Sequence, residues 1–219
     1  LLQLYRFYGF NTLIYSNKEL ASATLSEYCY YIGGVGFTAV LATLILNFDK
    51  VYLAKYLSIT ELGIYSIIGS VMMIINRFFN VVAINYFSNR INSKGTLFKV
   101  KYSLFIPSTL IISILSYYLG PPILTFAISN EFNGTGLVIA MLLASSLLSG
   151  VNAIVLQDFN VMGKPYYNIP RQVLTFGVLI ISLIALNFLA MEGVALAILI
   201  TSTFRLVTSE LLRKKIIYV

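Results

Sequence analysis

The stretch Phe132–Gln157, FNGTGLVIAMLLASSLLSGVNAIVLQ, decides the fold. It holds no charged residue, and beyond the Asn133-Gly134-Thr135-Gly136 turn its apolar residues run on without a two-residue alternation. A bilayer core about 30 Å thick takes roughly 20 apolar helical residues to cross. A backbone in lipid must satisfy its own polar groups, as a helix or in a closed barrel. A continuous apolar run without alternation fits the helix, so this stretch reads as a membrane-spanning helix.

Five further windows extend the pattern on both sides. Tyr28–Phe48, Tyr102–Asn130 and Gln172–Met191 carry no charge, Leu62–Asn89 carries only Arg77, and Gly193–Ser209 only Arg205. The expectation is an all-α polytopic membrane bundle of six transmembrane helices, over about 28–48, 62–84, 102–128, 137–157, 172–190 and 193–211. Residues 1–27, mixed apolar and polar, read either as a cytoplasmic or interfacial segment or as the end of an earlier helix. The chain opens Leu1-Leu2-Gln3-Leu4 without a methionine, and the expectation is a fragment of a longer protein.

The connections agree with these spans. Ser58-Ile59-Thr60-Glu61 is a capping box that opens the second. Met162-Gly163-Lys164-Pro165 stops the fourth. Pro107 is expected to kink the third helix near its start. Pro121-Pro122 is expected to interrupt it near its end, leaving the remainder at the interface.

Composition excludes most other classes. Hydrophobic types make up 58% of the 219 residues and charged types 11%, against about 25% charged in a soluble domain. Mean hydropathy is +0.86. A single cysteine, Cys29, forbids an intrachain disulfide. The absence of histidine removes the commonest general base and transition-metal ligand, and the reading is of no enzyme, no cofactor and no metal. With no tryptophan, the 16 tyrosines are the expected interface anchors. The net charge of +7 points to membrane lipids and not to nucleic acid.

Six spans put Arg6, Lys18, Arg90, Lys94, Lys99, Lys101, Lys164, Arg171, Arg213, Lys214 and Lys215 on one side, and Lys50 and Lys55 on the other. Eleven basic residues against two place both chain ends in the cytoplasm.

The polar residues inside the spans are the site candidates. Arg77 lies beside Asn76 and one turn from Asn80. A charge within the bilayer is costly and tends to face a polar cavity, so Arg77 is either a contact for an anionic substrate or a snorkelling side chain. Arg205 has the same two readings. Asp49 follows the first window, where a carboxylate would oppose the helix dipole. Either the helix continues to about Tyr56, or Asp49 has a specific partner. It is a solvated outer acid or a cavity-lining, ion-coupling one. Asn47, Asn76, Asn80, Asn85, Asn152 and Gln157 are expected to bridge helices. Gly34, Thr38 and Ala42 are expected to let a neighbouring helix approach closely.

Asn47-Phe48-Asp49-Lys50-Val51-Tyr52-Leu53, followed by Glu61-Leu62-Gly63-Ile64-Tyr65-Ser66, resembles the opening of the C-terminal half of polysaccharide biosynthesis flippases of the multidrug/oligosaccharidyl-lipid/polysaccharide exporter superfamily. Val161-Met162-Gly163-Lys164 is similar to that family's Gly-Lys loop, and Gly193-Val194-Ala195-Leu196-Ala197 to the small-residue opening of its last helix. The resemblance spans about residues 28–212. It implies one six-helix lobe of a two-lobed, O-antigen-type flippase in a bacterial or archaeal cytoplasmic membrane. The missing N-terminal lobe would be its partner, and an undecaprenyl-pyrophosphate-linked oligosaccharide its substrate. Alternating access and a coupling ion, H+ or Na+, would drive transport. The substrate-binding candidates are then Arg77, Asp49, Asn76, Asn80 and Arg205. The competing readings are a drug/cation antiporter of the same superfamily, a membrane-embedded polysaccharide enzyme and a non-transporting scaffold.

Overall fold

The computed structural model describes residues 25–92, 102–161 and 168–217. It contains six long helices: α1 (Leu25–Tyr56), α2 (Ile59–Asn92), α3 (Tyr102–Ala127), α4 (Gly136–Val161), α5 (Asn168–Ala185) and α6 (Ala190–Ile217). Short 3-10 turns at Asn130–Phe132 and Asn187–Leu189 precede α4 and α6. No strand occurs among the described residues. Each of the six helices has a stretch long and apolar enough to cross a membrane, and the chain is a multi-pass membrane protein of all-α class.

Local chemistry sets the helix starts. Ser58 Oγ accepts from Glu61 N at 3.3 Å while Glu61 Oε2 accepts from Ser58 N at 3.0 Å, which is the reciprocal capping box expected there. Ahead of α4, Ser129 caps the 3-10 turn through Glu131 N, and Gly134 turns the chain at φ +85°, a conformation that only glycine adopts without strain. Ala190 takes φ +48° where the Asn187–Leu189 turn hands over to α6.

Several boundaries differ from the sequence expectation. The first helix does not stop at Phe48 but continues to Tyr56, so Asp49 lies in mid-helix and its backbone is satisfied. Pro121-Pro122 does not interrupt α3, which stays helical to Ala127. Pro121 deprives the Tyr117 carbonyl of its helical donor, and a side chain at Gly136 would run into that oxygen. The start of α4 packs closely over that carbonyl, and α3 runs on past the prolines without a break. The fifth helix ends at Ala185 and the sixth begins at Ala190, because the intervening 3-10 turn takes residues that apolarity alone assigned to the fifth span. α4 ends at Val161; the Met162–Pro165 motif lies outside the described residues, as does the 1–24 part of the expected interfacial segment.

α4 is the central helix. It packs against α2, α3 and α6, while α6 also holds α5. α1 leans on α5 and makes thinner contacts with α6 and α2. The core joins Leu53, Tyr65, Ile68, Phe132, Val138, Leu179 and Leu183. A smaller cluster joins Val151, Val155 and Leu206 under Phe79 and Phe105. Many large apolar side chains point outward, among them Ile74, Leu104, Tyr118 and Phe126. Lipid tails are the environment that suits such a surface.

In lipid, helix association rests on close packing and interhelical hydrogen bonds. The close approaches are not where the sequence suggested. Among the described residues, a side chain added at Gly33, Gly34 or Gly36 would meet nothing within 4 Å, so no described group approaches closely at Gly34 itself. Gly150 is the close contact instead: its Cα lies against the Phe79 ring, where a Cβ would collide. Gly120 similarly leaves room for Ile139.

Candidate functional site

A cavity of about 90 Å³ lies among α1, α2, α4, α5 and α6. Its wall is polar for a membrane interior: Asp49 and Lys50 from α1, Asn76 from α2, Ser145, Ser146 and Ser149 from α4, and Thr201, Ser202 and Arg205 from α6. Thin contact between α1 and α2 leaves this space, because the two helices are connected only through Leu57 and Ser58 yet pack chiefly on other partners.

Tyr65 Oη donates to Asp49 Oδ2 at 2.7 Å, and Asp49 Oδ1 meets no donor. Across the cavity, Arg205 makes no side-chain hydrogen bond and no ion pair among the described residues, and its buried Nε has no acceptor. Asn76 Nδ2 donates to Ser146 Oγ at 3.4 Å. Ser149 and Ser202 share a hydroxyl bond of 3.2 Å between α4 and α6.

Two further polar layers continue from the cavity along α4 and α6. In the first, the Arg171 guanidinium, 2% exposed, donates to Asn152 Oδ1 at 3.0 Å and to Ser209 Oγ. Its Nε and Nη2 have no acceptor among the described residues. In the second, Arg213 pairs with Asp158 at 3.3 Å and Glu210 at 2.7 Å. Tyr86 donates to Asp158 at 2.7 Å and Tyr102 to Glu210. This layer ties α2, α3, α4 and α6 together at one end of the bundle.

The geometry has a simple sequence basis. Thr201, Arg205, Ser209 and Arg213 recur every four residues and are all buried. At 1.5 Å per residue they form a seam about 18 Å long on one helix face. α5 adds Asn168, Arg171, Gln172 and Thr175 on its buried face, with Leu179 and Leu183 further along.

Of the candidates named from sequence, Asp49, Asn76 and Arg205 line the same cavity. Arg77 and Asn80 do not; both are exposed on α2. Among the bridging amides, Asn76 and Asn152 do join helices, whereas Asn47 bonds to Thr43 O on its own helix at 2.8 Å. Tyr65, Tyr86 and Tyr102 anchor carboxylates inside the bundle, and Tyr52 donates to Leu183 O at 3.2 Å.

Arg171 was counted with the inner-loop charges. It is instead buried in the first turn of α5, because that turn docks on Asn152 and Ser209. Arg171 and Asp158 escape a search for charges inside the spans because each stands just outside a charge-free window. The four-residue repeat of Arg205, Ser209 and Arg213 was the signal available to find their partners. Searches against models of known protein families, curated proteins and solved structures find no match for this chain.

Proposed function

We propose that the chain is one six-helix lobe of a membrane transporter that moves an anionic, lipid-linked oligosaccharide across a bacterial or archaeal cytoplasmic membrane. The carrying observation is Arg77. It is exposed, without a hydrogen bond or ion pair among the described residues, and lies near the middle of the apolar stretch Ile59–Ser88. A guanidinium there is costly against lipid tails and stable against an aqueous path that admits phosphate. Ser70 and Asn80 are exposed on the same helix, and Thr43 and Asn47 on α1. The cavity, at about 90 Å³, is too small for a lipid-linked saccharide. The cargo therefore travels along the exposed α1–α2 side, between this lobe and an N-terminal partner lobe, by alternating access. The basic-residue bias puts both ends of the chain on the cytoplasmic side.

The test is Arg77→Ala in the full-length protein. Surface polysaccharide should be lost at unchanged protein level in the membrane; wild-type polysaccharide would sink the reading. A second reading, a drug/cation antiporter, is favoured by Asp49, whose buried Oδ1 has no donor and could take a proton or Na+. Competition in vesicles between an organic cation and a lipid-linked saccharide separates the two.

A further inference from the structure

We infer that the cavity lined by Arg205 is a binding site for one small monovalent anion, of chloride or small-oxyanion type, distinct from the cargo path along Arg77. Arg205 is 9% exposed and has no hydrogen bond or ion pair among the described residues, with its Nε buried and without an acceptor. A buried guanidinium with no acceptor is among the costliest arrangements a protein can hold, and it calls for a counter-charge. The neighbouring layer supplies no counter-charge, because Arg171 is also buried and its hydrogen-bond partners, Asn152 and Ser209, are neutral, with no carboxylate on it among the described residues.

The cavity supplies the rest of an anion site. Ser146 Oγ accepts from Asn76, which leaves its own O–H free to donate. Ser149 and Ser202 share a single bond, so one of their two hydroxyl protons is also free. These donors and Arg205 all come from α4 and α6. The opposing carboxylate, Asp49, stands on α1 and accepts from Tyr65, and it forms no ion pair with Arg205. Lys50 lines the same space, so two cations face one acid. The volume of about 90 Å³ holds a halide or a small oxyanion with a few waters, since one water needs roughly 10–15 Å³ by this measure. The anion stabilises the α4–α6 wall whether or not the cargo is a lipid-linked saccharide.

The experiment is thermal unfolding of the purified full-length protein in detergent, with chloride titrated against gluconate at constant ionic strength. The melting temperature should rise with chloride and saturate. Asp49→Asn, which removes the opposing charge, should move half-saturation to lower chloride, and Arg205→Gln should abolish the response. Arg77→Ala should leave the chloride response intact even if transport is lost, which separates this site from the cargo path. A wild-type protein insensitive to chloride, or Arg205→Gln with an undiminished response, overturns the site. Should Arg205→Gln fail to fold, bromide-soaked crystals of the wild type give the answer directly. An anomalous peak beside Arg205 is expected, and its absence at saturating bromide overturns the inference.

Discussion

Tyr65 gives its hydroxyl proton to Asp49 Oδ2 across 2.7 Å, joining α2 to α1 about two turns before the end of α1, where the two helices touch little else. The bond supplies the only donor among the described side chains to a carboxylate that is 6% exposed. Both residues line the cavity, so the bond closes part of its wall.

Tyr65→Phe should therefore cost more than an ordinary hydrogen bond. Leaving a buried acceptor unsatisfied costs about 1–3 kcal/mol. A drop in thermal stability of that size is expected, and Asp49→Asn combined with Tyr65→Phe should cost less than the two single changes together. Additive losses would show that the two side chains are not coupled.

Arg213→Ala should destabilise strongly, because Asp158 is fully buried and would be left with Tyr86 alone. Breaking such a pair costs about 3–5 kcal/mol. Asp158→Ala in the same protein should restore part of the loss; chemical or thermal unfolding of the three variants measures it.

Gly150→Ala should force α2 away from α4, since the new methyl meets the root of the Phe79 ring and not a flexible tip. Overpacking of this kind costs about 1–3 kcal/mol. Phe79→Ala should relieve it, and a Gly150→Ala protein as stable as wild type would contradict the contact. By the same geometry Gly34→Ala should be close to neutral in this lobe, as no described residue lies within reach of its Cβ.

Arg171→Met tests whether the first-turn guanidinium of α5 is there for stability. Two hydrogen bonds are lost, but so is a buried charge without a carboxylate. Replacement of a buried charge by an apolar side chain of similar volume is often neutral, and a change within about 1 kcal/mol is expected. A loss of several kcal/mol would mean that Arg171 is paid for by a counter-charge elsewhere.

Arg77→Ala should leave the fold alone, within about 0.5 kcal/mol, the range for an exposed side chain without partners. Its effect belongs to transport, and the thermal melt of the variant checks that the two are separate.

Length and apolarity along the chain determined the class: six stretches without a charge, or with one arginine, can only be helices in lipid, and a capping box fixed where α2 begins. Charge position singled out Asp49 and Arg205 but left each between a solvated and a cavity-lining place; packing decided for the cavity. What lay beyond the sequence was which face each helix presents. A nearly uniform apolar helix carries little periodic signal, so the exposure of Arg77 and the open space around Gly34 could not be read from their neighbours in the chain. Those were decided by tertiary packing. α4 occupies the centre because Gly150 admits Phe79, and Tyr117 of α3 approaches it at Gly136. The polar faces of α5 and α6 then turn inward because their hydrogen bonds have no other partner in a membrane.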